Sequence, residues 1–464
     1  MPMETHSTRI RQRREKVIQD WSDSQNIILV PSGLPVPIAG TDQYHDFHAH
    51  SEHVYLAGAQ FPRSVLTYSK DSDWTLFVHV ADLEESIWTG EGEPLSAITK
   101  RVGMEVQPLT DLKSWLEQSR GMPVCLIGNK DFEDSPEQYG LSDWRSLEAT
   151  IDYELSESLS QLVSEKRRSK DASELARMEK AAQITYSGHM AGLTKAHAGM
   201  TERELQIEIE SAFYKAGASR TAYGSIVGSG SNASILHFAP TKKKFRSNEI
   251  ILVDAGAEFE GYASDVTRTY PVGEKFTGIQ KNLYELVLSV QESAIQKIEP
   301  GVEYKDLHLN ASLEIASGLK DLGILNGTPE GLVEQDAQAI FFPHGLGHLL
   351  GLATHDAGGC LEGRLPSERA SLRNLRADLP LEENYVVTIE PGIYFIKTLL
   401  EDAQTRATHQ ETVVWTVVDQ LKDFGGIRIE DDIVVTADGG KVIGPMVPKT
   451  INEIESIRAA ALQS

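Results

Sequence analysis

Cysteine is almost absent from this chain: Cys125 and Cys360 are the only two in 464 residues. That rules out a disulfide-stapled architecture and suits a reducing compartment. Basic residues are scarce too, with 44 Lys and Arg against 68 Asp and Glu and a net charge of −24. Such a chain repels phosphate backbones and anionic headgroups, so neither nucleic acid nor membrane is expected as a partner. Long hydrophobic runs are missing, and none approaches the roughly 20 residues of a membrane helix. Arg9, Arg11, Arg13 and Arg14 stand near the start, but no apolar stretch follows them as in a secretory signal. Glu4, Glu15 and Asp20 interrupt the positive charge an organellar presequence would carry. A surface helix and a cytoplasmic location are therefore expected. Internal repeats and low-complexity segments are also lacking.

What is present in the first third is an alternation of strand-like and helix-like segments. Residues 25–30, 74–80 and 124–127 read as strands. Leu109, Leu112 and Leu116 line a helix between the last two. This pattern predicts an α/β domain. Ser164 to Asp171 is polar and basic and reads as a linker. Asp171 with Glu174, and Thr201 with Glu204, form capping boxes that open two helices; Gly217 ends the second. A longer helix is predicted from about Ile279 to Ile298, ending at Pro300-Gly301. Residues 249–253 and 385–389 read as strands.

Five metal-type residues follow, each inside its own short motif. They are Asp254 in Val-Asp-Ala-Gly, Asp265 in Ser-Asp-Val-Thr, His348 in His-Gly-Leu-Gly-His, Glu390 in Glu-Pro-Gly and Glu430 in Arg-Ile-Glu. Four carboxylates and one imidazole suit two hard divalent cations. Oxygen-rich sets favour Mn, Mg or Ca, and the imidazole shifts the balance toward Mn, Co or Zn. Two such cations activate a water and clamp both ends of a polar bond, which points to a hydrolase. Glu260-Gly261-Tyr262, between Asp254 and Asp265, reads as a turn. Antiparallel strands there would bring both carboxylates together, although by themselves the two also fit unrelated acidic strand ends. His344 and His348 have the spacing of two zinc ligands on one helix face. Gly345 and Gly347 argue against that helix, and no Glu follows His344.

In order and in neighbours, these motifs resemble the pita-bread metallopeptidases. That family includes methionine aminopeptidases, Xaa-Pro aminopeptidases and prolidases (Xaa-Pro dipeptidases). The resemblance runs from about Asp171 to the C-terminus and is weaker before it. It implies an α/β N-terminal domain of the creatinase/prolidase type over 1–165. An α+β pita-bread catalytic domain over 166–464 would follow, with two pseudo-symmetric halves around the metals. It also implies two divalent metal ions, Mn²⁺ first and Co²⁺ or Zn²⁺ as alternatives. Asp265 and Glu430 would bridge them, with Asp254 on one and His348 and Glu390 on the other. Glu390 would also take a proton from the attacking water. His344, Thr267 and Arg428 would orient these ligands. His237 and His355 match histidines that contact substrate and polarise the scissile carbonyl. Tyr223 and Arg428 are expected in the same substrate pocket. A homodimer is implied as well.

Specificity turns on Arg376, in Ser-Leu-Arg-Asn-Leu-Arg. A guanidinium can grip the free carboxylate of a dipeptide through two hydrogen bonds. Otherwise Arg373 and Arg376, near Glu368 and Asp378, form a surface charge cluster. The segment from His355 to Glu390 resembles prolidase. The expected activity is therefore hydrolysis of the Xaa-Pro bond of dipeptides, whose proline lacks an amide N–H and escapes general peptidases. The alternative is an Xaa-Pro aminopeptidase acting on longer peptides with proline second. Non-catalytic relatives of this fold and creatinase-like enzymes lack the metal set, so both are disfavoured. Three further features are read as incidental. Residues 228–233 match a dinucleotide fingerprint, but no helix opens after them. His45, His48, His50 and His53 have no standard metal spacing and read as a solvated or interface loop. Lys242 to Lys244 reads as a solvated loop.

Overall fold

The computed structural model describes residues 6–21, 26–119, 121–128, 131–141 and 150–463. Glu4 and Gln25, used above, lie outside them. The chain divides into two compact units, Met1–Arg167 and Arg168–Ser464.

The first unit is built on a mixed six-stranded sheet in the order β4-β3-β2-β1-β5-β6. The strands are β1 (Ile27–Pro31), β2 (Val65–Ser69), β3 (Asp73–Val78), β4 (Glu105–Pro108), β5 (Pro123–Leu126) and β6 (Thr150–Ile151). β1 pairs antiparallel with β2 and parallel with β5, where Ile28 faces Cys125. β2, β4 and β6 are missing from the sequence reading. None carries a continuous apolar run like Ile27 to Val30, and β4 and β6 are short as well. Leu29, Phe77, Leu112 and Trp115 meet in one core, so the leucine-spaced segment packs as predicted. The arginine-rich start is a helix, His6–Asp20. It is packed rather than purely superficial: Ile10, Arg13, Arg14 and Val17 are buried, and Arg14 donates to the carbonyl of Leu56 at 3.0 Å.

The segment read as a linker is not one. The helix Tyr153–Arg168 runs through it, and the next helix opens at Ala172. Its cations are anchored within their own units. Arg167 pairs with Glu52 at 2.6 Å. Arg168 donates to the carbonyls of Gly358 and Cys360, and Lys170 pairs with Asp356. A polar, basic stretch looks the same in sequence whether water or buried partners satisfy it.

The second unit is α+β. Both capping boxes form: Asp171 accepts from the backbone of Ser173 and Glu174, and Thr201 from that of Glu204. They open helices Ala172–Lys195 and Glu202–Lys215. A second helix pair is Gly278–Gln296 and Tyr304–Asp321. The strands are β7 (Arg220–Thr221), β8 (Ile226–Ser229), β9 (Ile250–Asp254), β10 (Ala257–Phe259), β11 (Tyr262–Ala263), β12 (Thr267–Pro271), β13 (Val386–Ile389), β14 (Gly392–Tyr394), β15 (Gly426–Arg428), β16 (Asp431–Thr436) and β17 (Gly439–Val442). They form small antiparallel sheets, β12-β9-β8, β13-β16-β17, β11-β10-β7 and β14-β15. One hydrophobic core, including Ile209, Val253, Val287, Ile315, Val387 and Ile433, joins both helix pairs to the sheets. Among the described residues no helix is long and apolar enough to cross a membrane.

Candidate active site

Strand ends deliver the acidic residues. Asp254 closes β9, and Thr267 of β12 sits opposite it in register. β10 and β11 form the turn between Asp254 and Asp265, with Glu260 and Gly261 at positive φ (49° and 89°). That hairpin folds Asp265 back beside Asp254, as the spacing of turn residues predicts. Glu390 lies between β13 and β14, its amide donating to the carbonyl of Leu346 at 2.8 Å. Glu430 lies between β15 and β16, its amide donating to the carbonyl of Thr267 at 3.1 Å. Residues 344–348 are not helical. Gly347 passes so close to the Thr388 carbonyl and the Tyr304 hydroxyl that a Cβ would collide with both. This close approach holds His348 against β13, where its amide donates to Thr388 Oγ1 at 3.1 Å.

The side chains then converge. Asp265, His348 and Glu430 place one ligand atom each within 4.8 Å of one another, the one such metal-type group among the described residues. His348 Nε2 lies 3.5 Å from Asp265 Oδ2 and 3.6 Å from Glu390 Oε1. The Tyr223 hydroxyl lies 2.6 Å from Asp254 Oδ1 and 2.5 Å from Asp265 Oδ1. One phenolic proton cannot serve both carboxylates, so the second needs a cation or a proton of its own. Behind the carboxylates, Arg428 spreads its guanidinium to Asp254 (2.5 Å), Thr267 (3.1 Å) and the Tyr394 hydroxyl (2.7 Å). Thr267 donates to Glu430 Oε2 at 2.6 Å. Tyr223 and Arg428, read as substrate groups, thus also brace the carboxylates, and Thr267 lies behind the cavity wall.

The electrostatics show what is missing. Burial and the neighbouring carboxylates push Glu430 well above the usual range, and burial pushes Glu390 up to about 7. Burial opposes a charge on His348, but the hydrogen bond to Asp265 and the charge of Glu390 outweigh it, raising His348 to about 9. Three buried acids and half-buried Glu390 have Arg428 and His348 as their charged ion-pair partners among the described residues, so the cluster is short of positive charge. Two divalent cations would supply it, and the oxygen-rich donor set with one imidazole fits them. The residues present therefore fit the expected metals.

Asp254, Asp265, His348, Glu390 and Glu430 line one cavity of about 1040 Å³ with Tyr223, His237, His344, His355, Arg376 and Arg428. The His355 ring stands 4.5 Å from that of His348. His344 Nδ1 faces the Gly345 carbonyl at 2.7 Å and can only donate to it, so its Nε2 accepts from Tyr394 at 2.8 Å. Three participants escaped the sequence reading. Asp432 accepts from the amide of Asp265 and so positions it. Tyr394 joins Arg428 to His344. Buried Arg268 holds the Glu430 carbonyl at 2.6 Å and pairs with Asp431 at 2.5 Å. The one signal for these is the run Glu430-Asp431-Asp432, three acids inside an otherwise apolar strand region.

The incidental features resolve differently. Donors of residues 229–232 that might have cradled a phosphate are occupied by the Glu202 carboxylate. His53 is no solvated loop residue: buried, it faces the Val30 carbonyl at 2.8 Å and Ser64 Oγ at 3.1 Å. Lys243 is not simply solvated either, because it donates to Ser229 and pairs with Glu249.

With this geometry in view, the chain can be compared with known proteins. A family profile described as "Metallopeptidase family M24" matches residues 176–437, and one described as "Aminopeptidase P, N-terminal domain" matches 10–122. The chain belongs to metallopeptidase family M24. It is 31% identical to a probable Xaa-Pro aminopeptidase, pepP, of Botryotinia fuckeliana, over 97% of this chain and 95% of that one. Among solved structures it resembles Pseudomonas aeruginosa aminopeptidase PepP (TM-score 0.82, 29% identity, 99% of both chains). It also resembles E. coli aminopeptidase P in complex with the inhibitor Pro-Leu (TM-score 0.82, 30% identity, 99% of both chains). The fold is therefore an α/β N-terminal domain followed by a pita-bread domain, as expected.

The dipeptidase expectation is corrected by the same comparisons: the relatives are named Xaa-Pro aminopeptidases, and the N-terminal match is to aminopeptidase P. Physically, Arg376 was a poor basis for it. The residue is exposed, beside exposed Arg373 and Asn374. The cavity is at the top of the usual size range for small-ligand pockets and leaves room beyond two residues.

Proposed function

We propose that this protein is an Xaa-Pro aminopeptidase that removes the N-terminal residue ahead of proline from peptides longer than two residues. The observation that carries the reading is the convergence of Asp254, Asp265, His348, Glu390 and Glu430 with His237 and His355 on one roomy cavity. Near-full-length similarity to proteins named Xaa-Pro aminopeptidases supports the substrate class.

The five residues would hold two divalent cations, with Mn²⁺ the first to test and Co²⁺ and Zn²⁺ next. When bound, such cations lower the pKa of a water and polarise a carbonyl. Glu390 serves as the proton acceptor at the attacking water and returns that proton to the proline nitrogen, a role suited to a carboxylate that lines the cavity beside the other candidate ligands. His237 and His355 donate to the scissile carbonyl oxygen as it gains charge. Arg428, Thr267 and Tyr223 keep the carboxylates aimed. The substrate continues past proline toward Arg373 and Arg376 at the cavity lining.

The test is hydrolysis of Ala-Pro-Ala beside Ala-Pro, with Mn²⁺ and with chelator. Release of Ala and Pro-Ala, abolished by chelator, with the dipeptide much slower, is the expected result. Turnover of the dipeptide alone would overturn the reading.

A further inference from the structure

We propose that Glu202 is a positioning residue for substrate binding: its buried carboxylate ties together both ends of the loop that carries His237. Glu202 is the first residue of the helix Glu202–Lys215 and is fully buried. It does not line the cavity. One oxygen, Oε1, accepts from the Ser229 amide (3.1 Å), Ser229 Oγ (3.1 Å) and Asn232 Nδ2 (2.9 Å). The other, Oε2, accepts from the Thr241 amide (3.2 Å) and Thr241 Oγ1 (2.6 Å). Five donors from two chain segments therefore meet on one side chain.

Between those segments the loop is held weakly. Among the described residues no backbone hydrogen bond reaches residues 236–240. Leu236 and Phe238, each only partly buried, rest against a small apolar cluster. Yet Leu236, His237, Phe238, Ala239 and Pro240 form a continuous part of the cavity wall. Lys243 braces the same strand end: it donates to the Ser229 carbonyl and Oγ and pairs with Glu249 at 3.1 Å. A buried carboxylate that satisfies five donors is costly to disturb and gives the loop one closed geometry. The inference rests on the reading that His237 touches substrate.

Glu202→Gln tests it, because an amide offers one acceptor oxygen and one donor group. In either orientation one end of the loop loses its acceptor. Glu202→Asp keeps both oxygens and is a partial rescue, and Thr241→Val removes one hydroxyl and perturbs one end only. Kinetics on Ala-Pro-Ala are compared with His237→Ala and with the double variant, alongside metal content and proteolytic nicking at 231–240. E202Q is expected to lower kcat/KM by about ten- to a hundredfold, the range for lost orienting partners, with metal content unchanged. E202D and T241V should fall between it and wild type. The double variant should be no worse than His237→Ala alone.

Wild-type kcat/KM in E202Q, or penalties that multiply in the double variant, would overturn the proposal. If E202Q does not fold, the same pattern must appear in T241V combined with His237→Ala, and its absence is equally decisive. A silent His237→Ala beside a nicked, impaired E202Q would remove the role of His237. The clamp would then stand as a support of the cavity wall alone.

Discussion

Each unit of this protein gathers metal-type side chains, and the two gatherings behave in opposite ways. In the first, His45, His48, His50 and His53 crowd a short stretch of sequence, yet buried His53 faces a backbone carbonyl and a serine. Burial holds it neutral, lowered to about 4. In the second unit five residues scattered over nearly 180 positions converge on one cavity. There His348 is raised to about 9 beside carboxylates that lack enough counter-charge. Closeness in sequence thus says little about a site. A buried histidine whose ring atoms are met by neutral partners is structural, and one that faces several carboxylates with few counter-charges marks a candidate metal site.

The largest test of this contrast is removal of one histidine from each unit. His348→Ala should lower kcat by roughly 10³-fold or more, with a matching loss of bound metal. His53→Ala should leave kcat within about threefold and lower stability by about 2–4 kcal/mol, through a cavity and the lost partners of Val30 and Ser64. Steady-state kinetics, metal analysis and denaturant melts separate these outcomes. Comparable activity losses in both would break the contrast.

Acid gives the next effect. An unfolded histidine titrates near pH 6.5, whereas folded His53 titrates near 4 because of burial. Between those values the unfolded chain binds the extra proton. The stability contributed by neutral His53 is therefore complete above pH 6.5 and is lost as pH falls toward 4. The advantage of wild type over His53→Asn should shrink by up to about 3 kcal/mol over that window. A constant difference across pH 4–7 would count against the buried neutral ring.

Arg428→Lys should weaken metal binding by about 10- to 100-fold while the protein stays folded. A lysine cannot reach Asp254, Thr267 and Tyr394 at once as the planar guanidinium does. Titration calorimetry with Mn²⁺ reads this. Smallest is Tyr223→Phe, which removes one hydroxyl between Asp254 and Asp265 and should cost about 1 kcal/mol of metal affinity. An effect as large as that of Arg428→Lys would mean the phenol is a ligand rather than a brace.

Much of the candidate site could be read from the residues, because each candidate ligand sits in a short motif whose turn or strand end is set locally. Glu260-Gly261, Pro391-Gly392 and Gly345 to Gly347 announce such places. The capping boxes at Asp171 and Thr201 are equally local and form as read. Less local features were misread or missed. Ser164 to Asp171 reads as a linker because the partners of its cations lie far along the chain. Asp432, Tyr394 and Arg268 were missed because their role lies in what they touch across the sheets. Arg376 was given too much weight because a sequence does not show that a guanidinium stands exposed beside a cavity roomier than a dipeptide needs.

What the sequence determined by itself was a supply of candidate donors: four carboxylates and one imidazole, each in a short motif at a strand end or turn. The tertiary structure alone decided which histidine faces the carboxylates, which arginine braces them and how much room the cavity holds. Local rules act over a few residues through backbone geometry. Burial and electrostatics act between atoms that only the fold brings within a few ångströms.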